Sequence, residues 1–164
     1  QQRTVFIMFL AVVVSMTLLL SVVDVGSSSR TPAYIAFSAA FKSDQNIDGR
    51  QKIAFNEVFT NFGNCYNNRT GEFTASKGGL YFFNFQGLTT SSNDFWIDLH
   101  HNDVYLVSAF ARQQNDYASA GNSIILRLRR TDTVYLRARR TVHLYGRTDD
   151  VYATFNGYMI GEIY

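Results

Sequence analysis

Hydrophobic and polar positions alternate with a period of two over most of this chain beyond residue 33, and there no stretch of twelve residues carries a helical period. The clearest case is residues 79–85, G-L-Y-F-F-N-F, where Gly79, Tyr81, Phe83 and Phe85 share one face of a strand with a buried aromatic side. Residues 94–101, D-F-W-I-D-L-H-H, put Phe95, Ile97 and Leu99 on one face in the same way. The pattern predicts further extended segments at 33–41, 51–56, 58–62, 71–75, 103–112, 123–130, 133–140 and 151–163. Turn signals separate them: N-N-R-T-G at 67–71, Asn102-Asp103, Thr131-Asp132, and polar loops at 42–50 and 113–122. About ten short strands with a turn roughly every 8–12 residues predict an all-β protein, a β-sandwich.

The first residues follow a different rule. Residues 5–23 are apolar or small and uncharged, with Arg3 before them and Asp24 after. Such a run is either a cleaved secretory signal or a signal-anchor long enough to span a bilayer. The small residues G-S-S-S at 26–29 fit cleavage, which is the preferred reading. The predicted organisation is a leader over 1–26, a polar linker over 27–32 and a folded domain over 33–164. Either reading puts that domain outside the cytosol, and contact with a membrane is expected only from an uncleaved anchor. Asn68-Arg69-Thr70 is an N-glycosylation sequon on a predicted turn, which makes Asn68 a candidate glycan site.

Composition supports strands. The chain is 46% hydrophobic, with 14 Phe, 10 Tyr and a single Pro, and aromatic side chains suit a pleated, half-buried surface. One cysteine, Cys65, permits no disulfide within the chain, so it is either a small buried hydrophobe or a thiol that pairs between chains. The net charge of +2 says little about partners, but its distribution says more. From residue 104 onward there are eight arginines, five acids and no lysine. Arginine presents a planar fork that suits carboxylate, sulfate or phosphate, so Arg127, Arg129, Arg130, Arg137, Arg139 and Arg140 are candidate ligand-binding residues. The plainer alternative is outward-facing residues of surface strands, some of them paired with those acids.

Several chemistries are excluded. His100 and His101 are adjacent on a strand and point to opposite faces, so they do not converge on one metal ion. There is no G-x-S-x-G elbow, and Gly78-Gly79 precedes a strand rather than a helix, so no nucleophile or phosphate loop is formed. The chain gives no reason to expect an enzyme, and none to expect a nucleic-acid partner. Asp94 and Asp103 bracket one strand. They are either turn acids that cap loop backbone or hard oxygen ligands for Ca2+.

The spacing of Phe55, Asn61, Tyr66, Phe73, Gly79, Tyr81, Phe83 and Phe85 resembles the signature of the globular C1q domain, in the C1q/tumour-necrosis-factor-like superfamily. A-F-S-A-A-F at 36–41 is similar to that family's first strand, and T-F-N-G-Y-M-I at 154–160 to its last. Residues 123–137, S-I-I-L-R-L-R-R-T-D-T-V-Y-L-R, are similar to its G-D hairpin, with Thr131 in place of the usual glycine. The resemblance implies a ten-stranded jelly-roll sandwich and a compact homotrimer packed on aromatic and aliphatic residues along its three-fold axis. It implies Ca2+ near the trimer apex in some members, with aspartates spaced as Asp94 and Asp103 are here. It also implies a binding module and not an enzyme. With a leader, no collagen repeat and no N-terminal cysteines, the chain resembles the short secreted or cerebellin-like members. The expected function is lectin-like, innate-immune recognition of anionic glycan or lipid on microbial or cell surfaces. The alternatives are a cytokine-like or cerebellin-like trimeric ligand for a protein receptor, and a structural trimerisation head of a matrix.

Overall fold

A computed structural model describes residues 34–90, 94–112 and 116–163. The expected leader and linker lie outside the described residues. Within them there is no helix, and twelve strands form two five-stranded sheets and one two-stranded ribbon. The first sheet has the order β3 (Glu57–Phe62), β1 (Ala36–Ala40), β12 (Thr154–Glu162), β6 (Gly79–Thr89), β9 (Ala118–Leu128). The second has the order β4 (Tyr66–Asn67), β5 (Glu72–Thr74), β10 (Thr133–Ala138), β7 (Phe95–His101), β8 (Val104–Ala111). The ribbon pairs β11 (Val142–Leu144) with β2 (Gln45–Ile47). The ten-stranded sandwich expected from the sequence is therefore present, with the ribbon added to it.

Three local expectations change. Residues 51–56 form no ladder beyond a single bridge from Lys52 to Arg137. They instead deliver Ile53 and Phe55 to the core, at 0% and 1% exposure. Strand β9 begins at Ala118, inside the expected polar loop, because its small residues pair in register with β6 from Thr89 to Gly79. Pairing with a long neighbour overrides the weak strand preference of A-S-A-G-N. The ribbon strands and β4 have two or three residues each, too few to show a period.

The alternating aromatic side chains meet between the sheets. Phe37 stacks on Tyr66 with centroids 4.7 Å apart and planes 3° from parallel, and meets Phe155 edge-on at 4.9 Å. Phe73 meets Tyr81 and Phe83 edge-on at 5.5 and 5.1 Å. The signature positions hold one another. Asn61 Nδ2 donates to the Tyr66 carbonyl at 2.8 Å, and Asn61 Oδ1 accepts the Tyr66 N–H at 3.0 Å. The Phe55 N–H in turn donates to the Tyr66 hydroxyl at 3.0 Å. Gly79 is needed because a Cβ there would collide with the Gly161 carbonyl, where β12 carries a bulge. Gly71 has φ +74°, and a Cβ there would strike the Ile53 carbonyl.

These aromatics lie inside one chain, so they do not form a three-fold axis. A different set faces outward on the first sheet. The registers place Phe62, Ala36, Tyr158, Phe82 and Ile125 in one row across all five strands. Phe62, Tyr158 and Ile125 are 61%, 49% and 59% exposed. Cys65 is buried, its Sγ 3.5 Å from the Phe62 carbonyl, and burial pushes its thiol up to about 11. It is the small buried hydrophobe of the two readings.

Candidate binding surfaces

The six candidate arginines do not form one surface. Strand β10, six residues long, stands between Arg129–Arg130 and Arg139–Arg140 and separates them by roughly 20 Å at about 3.3 Å per residue. Arg127, at the end of β9, joins the first group, and Arg137 on β10 joins the second.

The first group surrounds the β9–β10 turn. Thr131 sits at φ 75°, a conformation that strains a β-branched residue. The Asp132 carboxylate holds the turn: Oδ2 accepts the Arg129 N–H at 2.8 Å and lies 3.0 Å from His101 Nε2. Its Oδ1 accepts from Asn102 Nδ2 at 2.8 Å, and Asn102 Oδ1 accepts the Thr133 N–H at 2.8 Å. Burial raises the Asp132 carboxyl, but these hydrogen bonds outweigh it and hold the group below the usual range. Beside this network lies a concavity of about 670 Å3 lined by Arg127, Arg129, Arg130, His101, Asn102 and Asp132. Among the described residues none of these three guanidinium groups has a carboxylate partner.

The second group lies on the outward face of the second sheet. Registers place Tyr135 opposite His100, Arg137 opposite Asp98, and Asp98 opposite Ser108. Trp96 lies opposite Phe110 and meets it edge-on at 4.9 Å. Arg139 Nε donates to Asp98 Oδ2 at 2.7 Å, while Asp98 Oδ1 accepts from Ser108 at 2.6 Å. Arg139 also lies 4.8 Å from the Trp96 ring and 5.0 Å from Tyr105, and the bond to Asp98 raises its already high pKa. Sequence reasoning did not single out Trp96 and Tyr105, and weighed Asp98 only as a metal ligand beside His100 and His101. The alternation in D-F-W-I-D-L-H-H marks Trp96, Asp98 and His100 as the face opposite the core, which was the available signal.

His100 is 8% exposed and lies parallel to Tyr135, with ring centroids 5.2 Å apart. Burial lowers its pKa, the Asp103 carbonyl opposes this, and Arg137 adds to the lowering. Asp98 and Asp103 also face it and favour the charged form. A folded pKa below the ordinary 6.5 means that the folded state favours neutral imidazole. The associated stability is present above that value and is lost as pH falls. Thermal melts from neutral pH to pH about 5 are expected to show His100→Phe losing less Tm than wild type, by on the order of a few °C. Equal losses would show that His100 does not carry this dependence.

Asp94 and Asp103 sit at opposite ends of the seven-residue strand β7. That places them roughly 20 Å or more apart, against a Ca–O distance of about 2.3–2.6 Å. The pair does not fit a shared calcium ion within one chain. Asp103 Oδ1 instead accepts from the Tyr135 hydroxyl at 2.7 Å, and this bond holds the Asp103 carboxyl below its usual range. Among the described residues no group of three or more His, Cys, Asp or Glu side chains could hold a metal ion. Asn68 is exposed on the β4–β5 turn, where the Asn67 side chain accepts from the Arg69 N–H at 2.9 Å.

Comparison with known proteins agrees with this architecture. Residues 36–160 match the model of the C1q domain. Caprin-2 of Danio rerio is 34% identical over 135 residues, covering 79% of this chain and 14% of that protein. Complement C1q tumor necrosis factor-related protein 1 of Mus musculus is 27% identical over 131 residues, covering 77% of this chain and 47% of that protein. The chain thus spans less than half the length of either relative. Among solved structures, the globular domain of zebrafish complement 1qA protein superposes with a TM-score of 0.65 at 22% identity, covering 79% of this chain and 99% of that one. The Eiger TNF of S. frugiperda superposes with a TM-score of 0.66 at 14% identity, covering 81% and 96%. C1q/TNF-like domains are non-enzymatic and typically trimerise. With the family model matched across both sheets and the signature residues interlocked in the core, the chain belongs to the C1q domain family.

Proposed function

We propose that this chain is an extracellular recognition module that works as a homotrimer and binds anionic groups of glycans or lipids on microbial or cell surfaces. The observation that carries the reading is the concavity at the β9–β10 turn, where Arg127, Arg129 and Arg130 surround a fixed polar network and have no acidic partner among the described residues. Guanidinium groups free of intramolecular carboxylates are available for bidentate contact with sulfate, phosphate or carboxylate. The uncharged run at 5–23 supports export, and the exposed Asn68 sequon is then open to glycosylation. The apolar row on the first sheet supports assembly, because a row of this kind left in water favours association.

The test is binding of the exported chain to immobilised lipopolysaccharide and to a sulfated glycan at low and high salt. Reversing Arg127, Arg129 and Arg130 to glutamate together is expected to weaken binding by roughly tenfold or more, and raising the salt to weaken the wild type. Binding untouched by the charge reversal, or no binding at all, would sink the reading.

A further inference from the structure

The outward face of the second sheet carries more chemistry than a solvated surface requires. Its centre is a carboxylate, Asp98, that is 6% exposed and bonded to both Arg139 and Ser108. Asp98 therefore holds Arg139 beside the rings of Trp96 and Tyr105. Arg140 approaches the same Trp96 ring at 5.6 Å. Arg137 lies 5.2 Å from the Tyr135 ring, with a buried Nε that has no hydrogen-bond partner.

Two of the four cations on this face are held in ion pairs and two are not. Lys52 pairs with Glu72, and Arg139 pairs with Asp98. Arg137 and Arg140 make no ion pair among the described residues, and the Asp103 carboxylate, bonded to the Tyr135 hydroxyl, acts on Arg137 only at longer range, so neither guanidinium is tied up by a carboxylate. Arginines laid on aromatic rings are partly desolvated and held in place, which strengthens a two-pronged bond to an oxyanion. The face is open rather than a cleft, so it suits an extended ligand. Hydroxyls line it as well: the exposed Tyr105 Oη lies 3.0 Å from the half-buried Ser108 Oγ.

We propose that this face is a second anion site and that its ligand is an acidic saccharide, with sulfate or carboxylate groups on Arg137 and Arg140 and ring hydroxyls on Tyr105 and Ser108. The proposal rests on the anionic-ligand reading above. A saccharide fits better than single-stranded nucleic acid. Nucleic acid would need a free aromatic face for base stacking, whereas the Trp96 ring already carries two guanidinium groups and the edge of Phe110.

Trp96 is the single tryptophan of the chain, so its emission reports on this face alone. The full chain is titrated with a heparin-derived oligosaccharide, an oligogalacturonate, a neutral malto-oligosaccharide, polyglutamate and single-stranded DNA. A saturable change in Trp96 emission is expected with an acidic saccharide and none with the neutral one, and whether the sulfated or the carboxylated probe binds tighter identifies the head group. Arg137→Gln with Arg140→Gln is expected to weaken this binding about tenfold, with circular dichroism confirming the fold. The variant reversed at Arg127, Arg129 and Arg130 is expected to keep the Trp96 response. The proposal falls if Trp96 stays silent while an acidic saccharide binds, or if DNA or polyglutamate binds as tightly. It also falls if only the hairpin variant loses the signal, and the anionic reading then survives without this site. Failure of every acidic ligand to bind at all removes both.

Discussion

Replacing Phe155 with alanine is expected to destabilise the domain by about 3–5 kcal/mol. Phe155 is fully buried on β12, which pairs with β1 on one side and β6 on the other. Its ring meets Phe37 edge-on at 4.9 Å and Tyr66 edge-on at 6.2 Å, and it tilts against Phe55 at 6.4 Å and Phe83 at 6.2 Å. Four rings from four separate segments therefore lose a partner at once, and a sandwich pinned on both sheets has little freedom to collapse into the gap. The neighbouring Gly157 shows how tightly the cluster is filled: a Cβ there would lie 2.6 Å from Phe83 and 2.7 Å from Phe37. Urea denaturation at a fixed protein concentration measures the cost, because association adds to apparent stability. A loss under about 1 kcal/mol would show that the ring cluster is not the centre of the core. Phe155→Leu is expected to fall between wild type and the alanine variant.

This cluster was legible because aromatic alternation is a strong signal where a strand has one buried face. Tyr81, Phe83 and Phe85 on β6 could be placed from spacing alone, as could Phe95, Ile97 and Leu99 on β7. The role of Asn61 could not. Its amide pairs with the backbone of Tyr66, five residues on, and backbone partners leave no mark on a hydrophobic pattern. The arginines illustrate a second limit. Their count and the absence of lysine were visible, and they suggested one basic surface. Whether charges share a surface depends on which face and which end of a strand they occupy. Arg129 and Arg139 bracket β10, and among the described residues only the Arg139 guanidinium is paired with an acid, Asp98, which is 41 positions away along the chain. The nine-residue interval between Asp94 and Asp103 meets the same limit, since a fixed spacing along an extended strand measures distance and not convergence within one chain.

Ile125→Glu is expected to convert the proposed homotrimer to a monomer while leaving the chain folded. In one chain Ile125 is 59% exposed, on β9 at the end of the row formed with Phe82, Tyr158, Ala36 and Phe62. A carboxylate at so open a position changes the stability of the isolated domain by only about 0.5 kcal/mol. Covered by another copy, the same carboxylate would lose its water against Phe82, directly opposite it on β6, and only Arg127, two residues on along the same face, could offset part of that loss. Each copy then carries a desolvation cost of several kcal/mol, and three-fold symmetry repeats that cost three times. Sedimentation at micromolar concentration separates the states, with circular dichroism as the check on folding. Thr148→Glu, exposed on the loop before β12, adds the same charge away from the row and is expected to remain trimeric. A trimeric Ile125→Glu would move the interface off this sheet face, and a monomeric wild type would remove the assembly from the proposed function. The contrast between the two glutamates keeps the outcome from reducing to net charge, since they differ only in whether another copy would lie over them.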